Sequence, residues 1–329
     1  MRYAKITSRL SGLGWEKWAV HIEGKRRAAL GDDLIFLSIG EPDAAPPTAI
    51  LDVADRQMRA GRTRYAAGRG EPDVLRALSR LYTERTGRSV TTDQFLYLPG
   101  TQSALYAAMM TLVDLGDEVL MADPYYATYE SVIAAAGGMP APIRVDPDHG
   151  FHLKAADLER AITPRSRVLL MNTPSNPTGA VFTRAEIEKI GKVCEKHDLW
   201  IISDEVYATL TYGNTVVSSP FDMAELERRT VVVSSLSKSH AMPCFCCGWI
   251  AASAEFCEKA NPVTEAMLFG SQPFIEDAAA FALDSHFPEL DVNKKTYEAR
   301  ARALVAELAG AKKVRARMPE GGMFVMIDI

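Results

Sequence analysis

At 329 residues the chain has room for about two domains at the usual ~150 residues each, or for one large α/β domain with a smaller companion. Forty-seven per cent hydrophobic against 24% charged residues is ordinary globular composition and excludes a disordered or low-complexity chain. Thirty-seven basic and forty-two acidic residues leave a formal charge of −5, without the basic excess of a nucleic-acid binder or a polybasic membrane patch, so small-molecule partners are expected.

In chain order, Arg2, Lys5, Arg9, Lys17, Lys25, Arg26 and Arg27 break up any apolar core that a signal peptide would need. Pro42, Pro46 and Pro47 mark a turn-rich crossing, and residues 1–45 are expected to belong to a small domain. Residues 46–288, where short apolar runs alternate with helical patterns, are expected to form the large domain. Within it, 102–113 places Leu105, Met109 and Leu112 on one helical stripe. Strands are predicted over 118–122, 167–171, 199–203 and 230–234, each apolar on both faces as buried parallel strands are. His149 and His152, in the turn-rich stretch before the second of these strands, read as surface residues. Thr183, with Glu186 three positions on, opens a helix over 183–197 as a capping box does.

The apolar stretch 243–252 is about half a membrane span. It holds three of the five cysteines, Cys244, Cys246 and Cys247, which lack the paired Cys-x-x-Cys or Cys/His arms of a structural zinc site. So few cysteines fit a reducing cytoplasm, and no metal is expected. A long amphipathic helix over 289–308 leaves the sheet domain, and 289–329 reads as a linking helix and the start of a second domain. Gly321–Ile327 reads as a turn and a strand whose partner is expected in residues beyond Ile329. The expected fold is α/β: a mostly parallel, doubly wound sheet with a smaller, C-terminally truncated second domain and a ligand site beyond the carboxyl ends of the strands.

The chemistry-bearing residues fall at those strand ends. Asn172-Thr-Pro-Ser-Asn176-Pro-Thr-Gly179 follows one run, Asp204-Glu-Val-Tyr207 the next, and Ser234-Ser235-Leu-Ser237-Lys238 the third. Alone, a strand-end lysine is a solvated residue, an aspartate a helix cap and Asn-Pro-Thr-Gly a turn. At neighbouring strand ends they make one site.

On these motifs the chain resembles the aspartate aminotransferase superfamily, the class I/II aminotransferases of fold type I that use pyridoxal 5′-phosphate, from about Leu37 to the last residue. Within that family, 237–242 and 321–326 are most similar to arginine:pyruvate transaminases. The resemblance implies transfer of an amino group from an L-amino acid, with arginine as the candidate donor, to a 2-oxo acid such as pyruvate. It implies that Lys238 forms the Schiff base and moves the proton between substrate Cα and cofactor C4′, and that Asp204 keeps the pyridine nitrogen protonated. Asn176 and Tyr207 resemble the residues that bond the ring hydroxyl, and Tyr126 the aromatic ring that stacks on the cofactor. Gly100, Thr101 and Gln102, at the start of a helix, with Ser235 and Ser237, match the phosphate donors. Tyr65 matches a residue that reaches the partner subunit's phosphate, which implies a homodimer with shared sites. Gly40 and Asn176 match positions beside the substrate carboxylate.

Two departures stand out. Cys244 replaces a family glycine, where a side chain is strained if φ is positive. Cys246, the eighth residue after Lys238, replaces an arginine that grips the phosphate. Losing one charge-assisted bond of ~1.5–3 kcal/mol weakens cofactor retention by roughly one to two decades. The family's arginine for the substrate α-carboxylate falls beyond Ile329, so severely reduced transamination is expected. The alternatives are a carbon–sulfur β-lyase using the same Lys238 and Asp204, and a non-catalytic, truncated pseudoenzyme.

Overall fold

The computed structural model describes the backbone of residues 1–329 and all side chains except those of Trp15 and Glu16. Seven strands form one sheet: β1 (Phe95–Pro99), β2 (Glu118–Asp123), β3 (Met139–Arg144), β4 (Ser166–Asn172), β5 (Trp200–Asp204), β6 (Thr230–Ser235) and β7 (Cys247–Ala251), in the order β1-β7-β6-β5-β4-β2-β3. β7 runs antiparallel to both β1 and β6, while the pairings among β2 to β6 are all parallel. The carboxyl ends of β1, β2, β4, β5 and β6 therefore share one edge, and the antiparallel β7 starts there.

The continuous apolar runs are explained by burial on both faces. Along β4, Val168 and Leu170 pack into one layer with the helices Thr101–Leu112 and Ala254–Met267, while Leu169 and Met171 pack beneath the helix Arg184–Lys196 on the other face. Burying such a side chain contributes about 1.5–3 kcal/mol, so the alternation fixes which residues can face outward only at the strand ends. The helix Arg184–Lys196 starts as expected, with Thr183 accepting from the Glu186 amide and Glu186 reaching back to the Thr183 amide. A 21-residue helix, Pro288–Leu308, occupies the expected 289–308 stretch. Among the described residues no helix is long and apolar enough to cross a membrane.

Two expectations are corrected. Gly321–Ile327 is not one strand: β9 is only Ile327–Asp328, and its partner is β8 (Arg315–Ala316) within this chain. The preceding residues are held as a loop, with Tyr212 donating to the Gly322 carbonyl at 2.5 Å and the Gly322 amide donating to Leu210 at 2.7 Å. His152 is also not a free surface residue. Its Nδ1 lies 2.9 Å from Glu186 and its Nε2 3.1 Å from Glu320, whose carboxylate also accepts from the Val181 amide at 2.7 Å.

This clasp holds residues 320–322 against the Asn176–Gly179 turn, where the Gly321 amide donates to the Gly179 carbonyl at 3.1 Å. The Glu320 carboxylate, with Glu186 beside it, holds the His152 pKa above its usual value although burial opposes this. A raised histidine pKa stabilises the fold below the unfolded value near 6.5, and that contribution is lost as pH rises through the folded pKa. Thermal melting of His152→Gln should therefore fall furthest below the parent's near pH 6, and the gap should close by pH 9. A gap independent of pH would show that His152 acts by packing alone.

Candidate active site

The shared strand edge opens into a cavity of ≈ 580 Å³. β1 delivers Gly100, Thr101 and Gln102; the loop after β2 delivers Tyr126; β4 and its turn deliver Asn176; β5 delivers Asp204 and Tyr207; β6 delivers Ser235, Ser237 and Lys238. Gly40 closes the far side from the N-terminal segment. Of the residues to which the resemblance gives a cofactor or substrate role, Tyr65 alone does not line it. That ring is 90% exposed and touches Phe269 edge-on at 6.3 Å.

Lys238 is half-buried, and its amine donates to the Gly40 carbonyl at 2.8 Å. Burial pulls its pKa below the usual lysine value, with Glu41 pulling weakly the other way. An amine so placed loses its proton more readily than a solvated one, which a nucleophile and proton carrier requires. Asp204 is 3% exposed. Burial pushes its pKa up to about 6 against two bonds that favour the anion, from the Tyr129 hydroxyl at 2.8 Å and the Val206 amide at 3.3 Å. A buried carboxylate under that strain gains most from a cationic partner.

Three neighbours complete the frame, although the sequence did not single them out for a role. Tyr129 sits three residues after Tyr126 on the following helix, packs edge-on against it at 5.6 Å and orients Asp204. Asn172 donates to the Asp204 backbone carbonyl at 2.9 Å and accepts from the Asn176 amide at 2.5 Å, tying two strand ends together. The only advance signal for Asn172 was its place at the end of an apolar run. Phe324 packs edge-on against Tyr207 at 5.7 Å, and a Cβ on Gly40 would collide with its ring, 2.5 Å from Cζ alone. Gly40 is therefore small because Phe324 closes over it. Burial also raises the Tyr207 pKa, with the Asn176 side chain drawing it back.

The corner where the phosphate donors are expected, between Gly100 and Ser235, has a shape of its own. Gly100 has φ +85° and ends the turn into the helix Thr101–Leu112. A Cβ on Gly248 of β7 would come within 2.6 Å of the Gly100 Cα, so glycine there lets the two backbones touch. The Thr101 hydroxyl is shielded from solvent and has no hydrogen-bond partner, and Ser235 accepts from the Ser237 amide at 3.3 Å. The expectation of strain at Cys244 moves two residues along: Cys246 has the left-handed backbone, φ 54° and ψ 45°, whereas Cys244 lies in the turn before it. The chain must reverse there to enter β7 antiparallel, and that reversal falls on Cys246.

Comparison with known proteins agrees with this geometry. The family model for class I and II aminotransferases matches residues 32–329. The arginine–pyruvate transaminase of Pseudomonas aeruginosa is 39% identical over 329 residues, 100% of this chain and 84% of that protein. The aspartate/prephenate aminotransferase of Cereibacter sphaeroides is 33% identical over 94% of this chain and 78% of its own length. Among solved structures, the aspartate aminotransferase of Rhizobium meliloti superposes with a TM-score of 0.92 at 28% identity, covering 98% of this chain and 80% of that one. The chain belongs to the class I and II aminotransferases, enzymes of fold type I that depend on pyridoxal phosphate.

Proposed function

We propose that this chain transfers the amino group of an L-amino acid, arginine by its likeness to the Pseudomonas enzyme, to a 2-oxo acid such as pyruvate. The observation that carries the reading is the pairing, across one cavity, of a depressed lysine amine with a buried carboxylate whose pKa is raised. The cavity fits pyridoxal phosphate. Thr101 offers an unpaired buried hydroxyl beside a helix N-terminus for the phosphate, Asp204 offers an anion in want of a cation, and Lys238 offers an amine. When bound, the cofactor supplies the electron sink that lets a substrate Cα–H bond break.

In this reading the Lys238 amine would take the proton from the substrate Cα and deliver it to the cofactor C4′, and Asp204 would keep a proton on the ring nitrogen. Asn176 and Tyr207 hold the ring hydroxyl, Tyr126 covers one ring face, and Gly40 with Asn176 borders the substrate carboxylate. Tyr65, exposed beside Phe269, reaches the neighbouring site in a cytoplasmic homodimer. Among the described residues Lys238 is the only cationic side chain lining the cavity, with no second cation there to grip an α-carboxylate, so turnover by this chain is expected to be slow.

Incubation with pyridoxal phosphate followed by borohydride should fix a pyridoxyl group on Lys238, located by peptide mass spectrometry. In a separate, unreduced sample loaded with pyridoxal phosphate, arginine with pyruvate should yield alanine. No adduct, or one on another lysine, overturns the site. Pyruvate and ammonia released from cystathionine without an acceptor would assign the chain to carbon–sulfur lyases instead.

A further inference from the structure

Among the described residues the cavity is lined by one positive side chain, Lys238, and one negative, Asp204. In the reading above, which this inference deepens, Lys238 is committed to the covalent link and Asp204 to the ring nitrogen. Among the described residues no other side chain of fixed positive charge lines the cavity to face the cofactor phosphate. What the phosphate corner offers is neutral: the first amides of the helix Thr101–Leu112, the hydroxyls of Ser235 and Ser237, and the shielded Thr101 hydroxyl with no partner. A buried hydroxyl left unpaired is unfavourable unless a ligand completes it.

Cys246 forms the remaining wall. It is exposed, it lines the cavity, and its Cα lies 4.0 Å from where a Cβ on Gly100 would stand, against the helix entrance. Its thiol makes only a 4.0 Å contact with the Pro243 carbonyl. The adjacent Cys247 is buried, its sulfur 3.7 Å from the Phe245 carbonyl, and so cannot take its place.

We propose that this chain holds the cofactor phosphate in a cup without fixed positive charge, on the Thr101 hydroxyl and the first amides of its helix. The Cys246 thiol is the open wall of that cup, so bound phosphate and a covalently modified Cys246 exclude each other. In alkylation by iodoacetamide the Cys246 sulfur bonds to the methylene carbon, the carbon–iodine bond breaks, iodide leaves and the thiol proton passes to solvent. The carbamidomethyl group then occupies the space beside Thr101.

The test uses the full chain freed of cofactor, titrated with pyridoxal phosphate and with pyridoxal by absorbance, and probed with iodoacetamide by peptide mass spectrometry. Cys246→Arg, which keeps a side chain of ordinary chirality at the left-handed position, should bind pyridoxal phosphate about ten- to a hundredfold more tightly and leave pyridoxal affinity unchanged. Thr101→Val should weaken pyridoxal phosphate about tenfold, again without effect on pyridoxal. Saturating pyridoxal phosphate should protect Cys246 from alkylation and leave Cys244 reactive. Equal affinity of the parent and Cys246→Arg for pyridoxal phosphate, or unprotected Cys246 at saturation, overturns the inference alone. Failure of both cofactor forms to label Lys238 overturns the cofactor reading and this inference with it.

Discussion

Lys238→Ala will leave a folded protein that no longer retains cofactor covalently and transaminates at least about 10³-fold more slowly than the parent. The fold should survive because the amine's hydrogen bond is a single one to the Gly40 carbonyl, and burial already works against its charge. Removing a half-buried cation that is drawn below its usual pKa removes a desolvation cost with it. The chemistry should not survive. A positioned general acid–base contributes about 10²–10⁴ on its own, and the same nitrogen also serves as the nucleophile toward the cofactor. Lys238→Arg separates charge from function: it restores a cation, but a guanidinium cannot give up its proton in the working pH range. Borohydride trapping should give no pyridoxyl peptide from either variant, and both should be inactive in alanine formation from pyruvate. Activity within tenfold of the parent in Lys238→Arg would remove the proton-transfer role.

Much of this candidate site's placement was legible because the residues that line it interrupt apolar runs. Val168–Met171 and Ile201–Ile202 are buried on both faces, so Asn172, directly after the first run, and Asp204, one place beyond the buried Ser203 that follows the second, stand side by side at the sheet edge. The strands that were not predicted break that pattern for identifiable reasons. β3, Met139-Pro-Ala-Pro-Ile-Arg, is an edge strand whose two prolines are tolerated because one side of it pairs with nothing. β7 lies inside the 243–252 apolar stretch, where only its length could be judged, and its antiparallel direction depends on the reversal at Cys246. β1 is a five-residue run whose position at the far edge is set by pairing with β7. His152 was misjudged because its partners, Glu186 and Glu320, are 34 and 168 residues away, a separation that no local pattern reports. Phe324 was hidden likewise: its contact with Tyr207 exists only because the His152 clasp and the Tyr212 bond fold residues 320–324 back over the cavity.

Asp204→Asn should make the cofactor-free protein more stable while removing its activity. The folded pKa near 6 stands about two units above the usual 3.8, and burial is the main cause. A folded-state carboxyl pKa that is raised means that the unfolded chain ionises first as pH rises. Wild-type stability therefore declines between about pH 4 and pH 6 relative to a neutral residue, and the deficit is constant above that. Two units correspond to about 3 kcal/mol. An asparagine amide can accept from the Val206 amide through its oxygen, and its NH₂ can donate to the Tyr129 hydroxyl, which is able to turn and accept. Urea melts of the cofactor-free proteins should then coincide near pH 4 and separate in favour of Asp204→Asn above pH 6, by up to about 3 kcal/mol. The activity loss follows from the same burial. An anion that is costly to keep charged in an empty cavity gains strongly from a protonated ring nitrogen, and a neutral amide cannot hold that proton. Removing an oriented charge from such a site costs about 10²–10³ in rate. Equal stability at pH 8, or retained turnover, would show that Asp204 is not the strained partner of a cation.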